Sequence, residues 1–369
     1  MNISRKILVD LGKLRNRYTG LGEVAFHFGT HLAGKATALR QQNIELYFLV
    51  PRQYAGYWGS DVKYVTLNFF RRHFPGLNLK YDLWHSIHQD SSYMPGNKNC
   101  KYLLTIHDLN FLYRRNKKKA EIKLQRIQKK INKADAITAI SNFTREETCR
   151  KLNTGIKTPV VIYNGCVDYS KTGAKKPGSI GDNEQFFLHI SSITPKKNTK
   201  SLVEMMKRWP EKKLIIAGSW DNAYANEIIR EIKKENITNI ICLSKINDAE
   251  KAWLYMHCEA LFFPSLLEGF GLPVIEAMYC GKPVFTSTCT SLPEIGSDKA
   301  FYWDSFEPGY MKKIAEEKLA LINHDPGFAT SLKQYAAQFS WANNVNRYIE
   351  LYTDILGNET VNEAESKGR

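Results

Sequence analysis

The sequence predicts an α/β protein of two consecutive domains, each a doubly wound parallel sheet, facing each other across a cleft. Three observations lead there. Short β-rich runs alternate with amphipathic helical windows through both halves, the pattern of parallel sheets covered by helices on both faces. The 369 residues are enough for two ordinary domains. The alternation also breaks once, at "DYSKTGAKKPGSIGDNEQ" (residues 168–185), which is rich in Gly, Pro and Lys and reads as a linker. The expected division is residues 1–168, a linker at 169–184, a second domain at 185–357 and a flexible polar tail at 358–369.

In the first half "KILVDL", "IELYFLV", "VKYVTLNF", "KYLLTIHD" and "DAITAIS" read as strands, and residues 22–42 and 118–133 as helices. In the second half "FFLHIS", "KLIIAGS", "NIICLS", "EALFFPS" and "KPVFTS" read as strands separated by helical windows. A last helix, about 341–356, carries an aromatic-aliphatic stripe and is expected to pack back on the first domain. In open parallel sheets ligands bind beyond the carboxyl ends of the strands, so residues that directly follow strands are the ones to inspect.

Composition narrows the function classes. No run approaches the roughly 18 apolar residues of a membrane span. Seven cysteines, an odd number without a CxxC pair, argue for a reducing compartment, so the expectation is a cytoplasmic protein. Charge is uneven. Residues 1–168 hold 28 Lys+Arg against 12 Asp+Glu, and residues 169–369 hold 24 against 25. The two halves are therefore expected to meet different partners, plain solubility being the alternative.

The densest chemistry lies in "PSLLEGFGLPVIEAMYCGKPVFTS". Glu268 follows a strand, Gly269-Phe270-Gly271 forms a tight turn, and Leu272-Pro273 opens a helix whose proline suits the first turn. The free N–H groups and positive end of that helix make an anion site. Glu276, one turn in, can accept hydrogen bonds from two adjacent hydroxyls, as on a ribose. An ordinary acidic helix start is the plain alternative for a lone pair of glutamates, and the surrounding motif argues against it.

With "TSLPEI" further on, this stretch resembles the signature of the retaining glycosyltransferases of family 4, which have the two-domain, Rossmann-like GT-B fold. The resemblance implies that Glu276 binds the ribose of a nucleotide-sugar donor and that Glu268 contacts the transferred sugar, with Gly269, Phe270, Gly271 and Leu272 lining the pocket. "HISSITPKKNTKSLVEMM" resembles the strand-loop-helix that cradles the donor diphosphate, with Lys197 as the phosphate-binding lysine. Ser192 stands where the family commonly has arginine, and either Lys196, the helix start or a residue of the other domain is expected to compensate, or donor binding is expected to be weaker. "RNRYTGLGEVAFHF" resembles the glycine-rich loop after strand one, where Gly20 and Gly22 would approach the donor phosphates. "LLTIHD" would place His107 beside the sugar. "TAISNFTREE" reads mainly as helix capping.

The expected reaction moves a hexose, with mannose a candidate, from a nucleoside-diphosphate sugar to a glycan or lipid-linked glycan with retention of configuration, in bacterial surface polysaccharide or lipopolysaccharide synthesis. His107, Lys197 and Glu268 are the catalytic candidates; His107 and Glu268 would position and polarise rather than form a covalent bond. The sequence has no D-x-D run, so neither a metal nor another cofactor is expected. In the basic half, Arg71, Arg72, Arg114, Arg115, Lys119, Lys123, Arg126 and Lys130 are candidates for an acceptor or anionic membrane surface, the last four on a helix whose other face carries Leu124, Ile127 and Ile131. The chain would then sit on the inner face of the cell membrane. A sugar-nucleotide epimerase or phosphorylase of the same fold is the alternative, and a nucleic-acid-binding protein a more distant one, because the charge stops at the linker and no RNA-binding signature is present. No nucleic-acid partner is expected.

Overall fold

The computed structural model describes residues 4–78, 81–113, 116–182, 184–322 and 324–357. The described residues divide into two compact units, 4–165 with 341–357, and 166–340.

The first unit contains β1 (Arg5–Asp10), α1 (Gly20–Ala33), α2 (Ala36–Gln41), β2 (Ile44–Val50), β3 (Lys63–Thr66), α3 (Phe69–His73), β4 (Leu83–Ser86), β5 (Lys101–Ile106), α4 (Lys117–Lys133), β6 (Ala136–Ala139), α5 (Asn142–Lys151) and β7 (Val160–Val161). Its seven strands are ordered β3-β2-β1-β4-β5-β6-β7 and every pair is parallel. Leu8 on β1 sits opposite Tyr47 and Trp84. All four residues of β4 are buried, as expected of a strand covered on both faces. Ser141 caps α5 by accepting from the Thr144 N–H.

The carboxy-terminal helix, Trp341–Gly357, belongs to this first unit. Its contacts are polar as well as apolar. Tyr352 Oη lies 2.7 Å from His85 Nδ1, and Tyr348 Oη 3.1 Å from Thr105 Oγ1 and 3.3 Å from Thr138 Oγ1. His85 Nε2 closes the network on Thr105 Oγ1 at 2.8 Å. A hydrogen-bonded buried network of this kind fixes the helix in one register against the sheet.

The second unit contains β8 (Phe187–Ile190), α6 (Thr199–Lys207), β9 (Leu214–Ala217), α7 (Ala223–Lys234), β10 (Ile240–Leu243), α8 (Asp248–His257), β11 (Leu261–Phe263), α9 (Leu272–Tyr279), β12 (Val284–Ser287), α10 (Leu292–Gly296), β13 (Phe301–Trp303), α11 (Pro308–Ile322) and α12 (Phe328–Ala336). The strand order is β10-β9-β8-β11-β12-β13, again all parallel. Its core is aromatic. Phe187 stacks on Phe262 at 4.3 Å, and Trp303 packs on Phe262 and Phe285. The stretch expected as a linker groups with this unit. Tyr169, at its start, is buried and stacks on Tyr255 at 5.6 Å. The expected tail, 358–369, lies outside the described residues.

In each sheet the order reverses once, between β1 and β4 in the first and between β8 and β11 in the second. The loops leaving those strands are the places where such sheets hold ligands.

Candidate active site

Lys197 and Glu268 meet at the reversal point of the second sheet. Lys197 ends a short 3-10 turn, Pro195–Lys197, after β8, and Glu268 lies in the loop after β11. The two side chains form an ion pair, 13% and 12% exposed. Ser265 Oγ donates to Glu268 Oε1 at 2.7 Å. Burial on its own raises the Glu268 carboxyl, but the charges of Lys197 and Lys196 and the bonds from Lys197 and Ser265 outweigh it and hold the group below the ordinary carboxylate value. Lys197 Nζ also lies 5.0 Å above the Phe263 ring.

The turn between Glu268 and α9 is built from its backbone outward. The Glu268 N–H donates to Thr290 Oγ1 at 3.0 Å, and Ser291 Oγ lies 3.2 Å and 3.0 Å from the carbonyls of Glu268 and Phe270. Gly271 has φ +105°, and a Cβ there would lie 2.7 Å from Leu292 Cδ2, so glycine is required twice over. It caps α9 without a side-chain cap, and Pro273 sits in the first turn. Leu272, half-buried, opens the helix. Phe270 is buried and packs edge-on to Phe339 at 5.9 Å. Gly269 is buried in the same turn.

Glu276 points from α9 to α8. Lys251 Nζ lies 3.1 Å from its Oε1 and 3.0 Å from its Oε2, and Tyr255 Oη donates to Oε2 at 2.7 Å. Neither partner was singled out from the sequence. The available signal was their four-residue spacing on the helix before β11. Lys196 faces the same loop through its carbonyl, which accepts from the Leu266 N–H at 2.7 Å. Ser192 is exposed.

The remaining predicted residues lie in the first unit. His107 follows β5 and is 4% exposed. Its Nε2 donates to the Ile87 carbonyl at 2.7 Å, and its backbone N–H to Gln89 Oε1 at 3.0 Å. Burial pushes the imidazole down to about 4, so it is neutral at pH 7 with the proton on Nε2. It lines a small cavity with His85, Asn164, Trp341, Asn344 and Tyr348. Trp341 Nε1 and Asn344 Oδ1 are buried without a hydrogen-bond partner among the described residues. Gly20 opens α1 and has open space around it. A Cβ on Gly22 would lie 2.1 Å from the Asn16 carbonyl oxygen, so Gly22 has a local reason, the close approach of α1 to the preceding turn.

Two surface expectations change. Lys130 is not on the exposed face of α4. It is 9% exposed, its Nζ donates to the Gln89 carbonyl at 2.7 Å and bonds the Ser91 carbonyl, and burial pushes it down to about 8. Its place beside Ile127 and Ile131 on the helix turns it inward, where two carbonyls and the nearby Asp10 compensate its charge. Lys123 is partly committed too, pairing with Asp90 at 2.7 Å and lying 4.3 Å above Phe111. Lys119 and Arg126 are exposed. Arg71 donates to the Leu77 carbonyl at 3.1 Å, while Arg72 is exposed on α3. Arg114 and Arg115 lie outside the described residues.

A family described as "Glycosyl transferases group 1" matches residues 170–339 and one described as "Glycosyltransferase Family 4" matches residues 29–168. The chain belongs to the family 4 glycosyltransferases, and its two Rossmann-like units are those of the GT-B fold. It is 30% identical over 250 residues to the serotype-specific mannosyltransferase WbdA of Escherichia coli, covering 61% of this chain and 29% of that protein. It is 28% identical over 243 residues to the O-antigen chain mannosyltransferase B of Escherichia coli, covering 61% and 62%. These matches span less than two thirds of either relative. A glycosyltransferase from Rickettsia africae ESF-5 shares the fold at TM-score 0.73 and 15% identity over 96% of this chain and 99% of that one. Anabaena Alr3699/HepE, in complex with UDP-glucose, does so at 0.69 and 16% over 95% and 99%.

Proposed function

We propose that the chain is a retaining hexosyltransferase that moves a sugar, with mannose the first candidate, from a nucleoside-diphosphate donor to a glycan or lipid-linked glycan in the synthesis of a bacterial surface polysaccharide. The observation that carries this is the pair of carboxylates at the β11–α9 junction, one ion-paired to Lys197 and the other held by Lys251 and Tyr255. The matches to O-antigen mannosyltransferases support the choice of sugar and product class.

In this reading Glu276 accepts the ribose hydroxyls and Lys197 meets the diphosphate. An ammonium has three donors, so the bond to Glu268 leaves two for phosphate oxygens. As the sugar-phosphate bond breaks, negative charge grows on the leaving phosphate, where Lys197 and the positive end of α9 stabilise it. The leaving phosphate takes the acceptor proton on the same face, so no protein nucleophile is invoked. Glu268 and the neutral His107 position the sugar and acceptor. Gly20, Ser192 and Lys196 complete the donor contacts. No metal is assigned a step.

We assign the chain to the inner face of the cell membrane as a peripheral protein. No helix among the described residues is long and apolar enough to cross a membrane. Phe69, Phe70, Phe74 and Leu77 are 66%, 64%, 57% and 56% exposed on and after α3, beside Arg72. An exposed apolar patch with basic residues suits an anionic bilayer. The decisive assay is a panel of GDP- and UDP-hexoses with lipid-linked acceptors, following nucleoside-diphosphate release and the product mass. A product heavier by one hexose, with its anomeric configuration retained, is expected. Release of diphosphate without a lengthened acceptor, or an epimerised nucleotide sugar, would contradict the reading.

A further inference from the structure

The carboxylate of Glu276 is held more firmly than packing requires. Asn247 caps α8 and Glu250 returns the bond to the cap's own N–H, which fixes the helix from its first turn. Lys251 and Tyr255 follow four residues apart and therefore project from one face. Lys251 reaches both oxygens of Glu276, whereas Tyr255 donates only to Oε2. Lys251 is steadied from behind by the ring of Tyr169, 4.7 Å from its Nζ, and that ring stacks on Tyr255. Oε2 thus carries two donors and Oε1 one. An ionised carboxylate offers about four acceptor sites, and the spare capacity falls chiefly on Oε1. Replacing a buried ion pair by apolar side chains of similar volume is often neutral or stabilising, so stability alone does not account for this arrangement.

We propose that Lys251 and Tyr255 act as positioning residues, a clamp that presents the Oε1 edge of Glu276 to the hydroxyl pair of a ribose and thereby sets discrimination between ribose and its deoxy forms. The clamp stops the carboxylate rotating. Hydroxyls then meet an acceptor already in place, and the cost of ordering it on binding is removed. This rests on the reading of Glu276 as the ribose contact.

The test is calorimetric titration of the full chain with UDP and GDP and with their 2′,3′-dideoxy forms. The variants are Tyr255→Phe, which removes a single oxygen, and Lys251→Met, with Lys251→Arg as the conservative control. The wild type should prefer the ribose form roughly ten- to hundredfold, the range of a hydrogen bond to a charged group. Tyr255→Phe and Lys251→Met should weaken the ribose form and leave the dideoxy form unchanged, so that the ratio falls toward one, and Lys251→Arg should restore part of it. Variants that keep the wild-type ratio, or weaken both forms equally, would overturn the clamp while leaving Glu276 as the ribose contact. A wild type that binds both forms equally would overturn the clamp together with the reading beneath it.

Discussion

Lys197 and Glu268 each depend on the other's charge. Removing the lysine leaves a buried carboxylate uncompensated, at a cost of about 3–5 kcal/mol by the usual behaviour of such pairs. Lys197→Met is therefore expected to destabilise the chain more than the double variant Lys197→Met/Glu268→Gln does, which urea denaturation of the two would show. In the proposed reaction the same lysine faces the leaving group. Lys197→Ala should lower kcat by roughly 10²–10³, the usual loss for one preorganised donor. Glu276→Ala should act mainly on the donor KM, raising it about tenfold or more. Steady-state kinetics with donor varied separates the two roles, and near-wild-type constants in both variants would contradict the assignment.

The β11–α9 junction is the element on which the site is built, and its conformation rests on Gly271. Alanine there meets both a left-handed backbone and Leu292. Gly271→Ala should cost on the order of 1–3 kcal/mol and shift the loop that carries Glu268, visible as a lowered urea midpoint together with reduced turnover. This junction was legible in the sequence because strand, Gly-x-Gly turn, proline and acid all fall within a dozen residues. Strands long enough to show a run, such as β2 and β5, were legible for the same reason. β4 was not. It has four residues, Leu-Trp-His-Ser, buried on both faces, and so shows no alternation. The β-rich run at residues 62–69 hid the start of α3, because aromatic residues favour strands until the Asn68 cap is seen to accept from the Arg71 N–H. The inward turn of Lys130 was equally hidden. A lysine on a basic helix reads as solvated unless the carbonyls that receive it are known. The clamp on Glu276 was missed because it joins residues 21 and 25 positions apart.

Across the whole molecule, protonation couples to stability through buried histidines. Burial lowers His85 to about 3 and His107 and His189 to about 4, and takes His88 well below its ordinary value. Each is neutral in the folded chain and takes up a proton near pH 6.5 once unfolded, so the unfolded state binds more protons as the pH falls. The stability they contribute is present above about pH 6.5 and is lost toward pH 4, at about 1.4 kcal/mol per pH unit for each group. Glu268, held low, adds to the loss below its ordinary range, whereas Asp10, raised by its burial, acts in the opposite sense. Urea midpoints are expected to drop steadily between pH 7 and pH 5. A flat profile would mean that these histidines are not buried as described. The exposed aromatic patch at α3 also acts at this scale. Phe69→Ser/Phe70→Ser should reduce sedimentation with anionic vesicles at low salt and leave turnover on a water-soluble acceptor unchanged.

A nucleoside diphosphate is expected to be held in the second unit, where the strand order reverses between β8 and β11. A crystal structure of the chain with the donor's nucleoside diphosphate tests it most directly. The diphosphate is expected on Lys197 and at the positive end of α9, with the ribose hydroxyls on Glu276. A nucleotide bound elsewhere, with Lys197 and Glu276 making no contact to it, would contradict this placement.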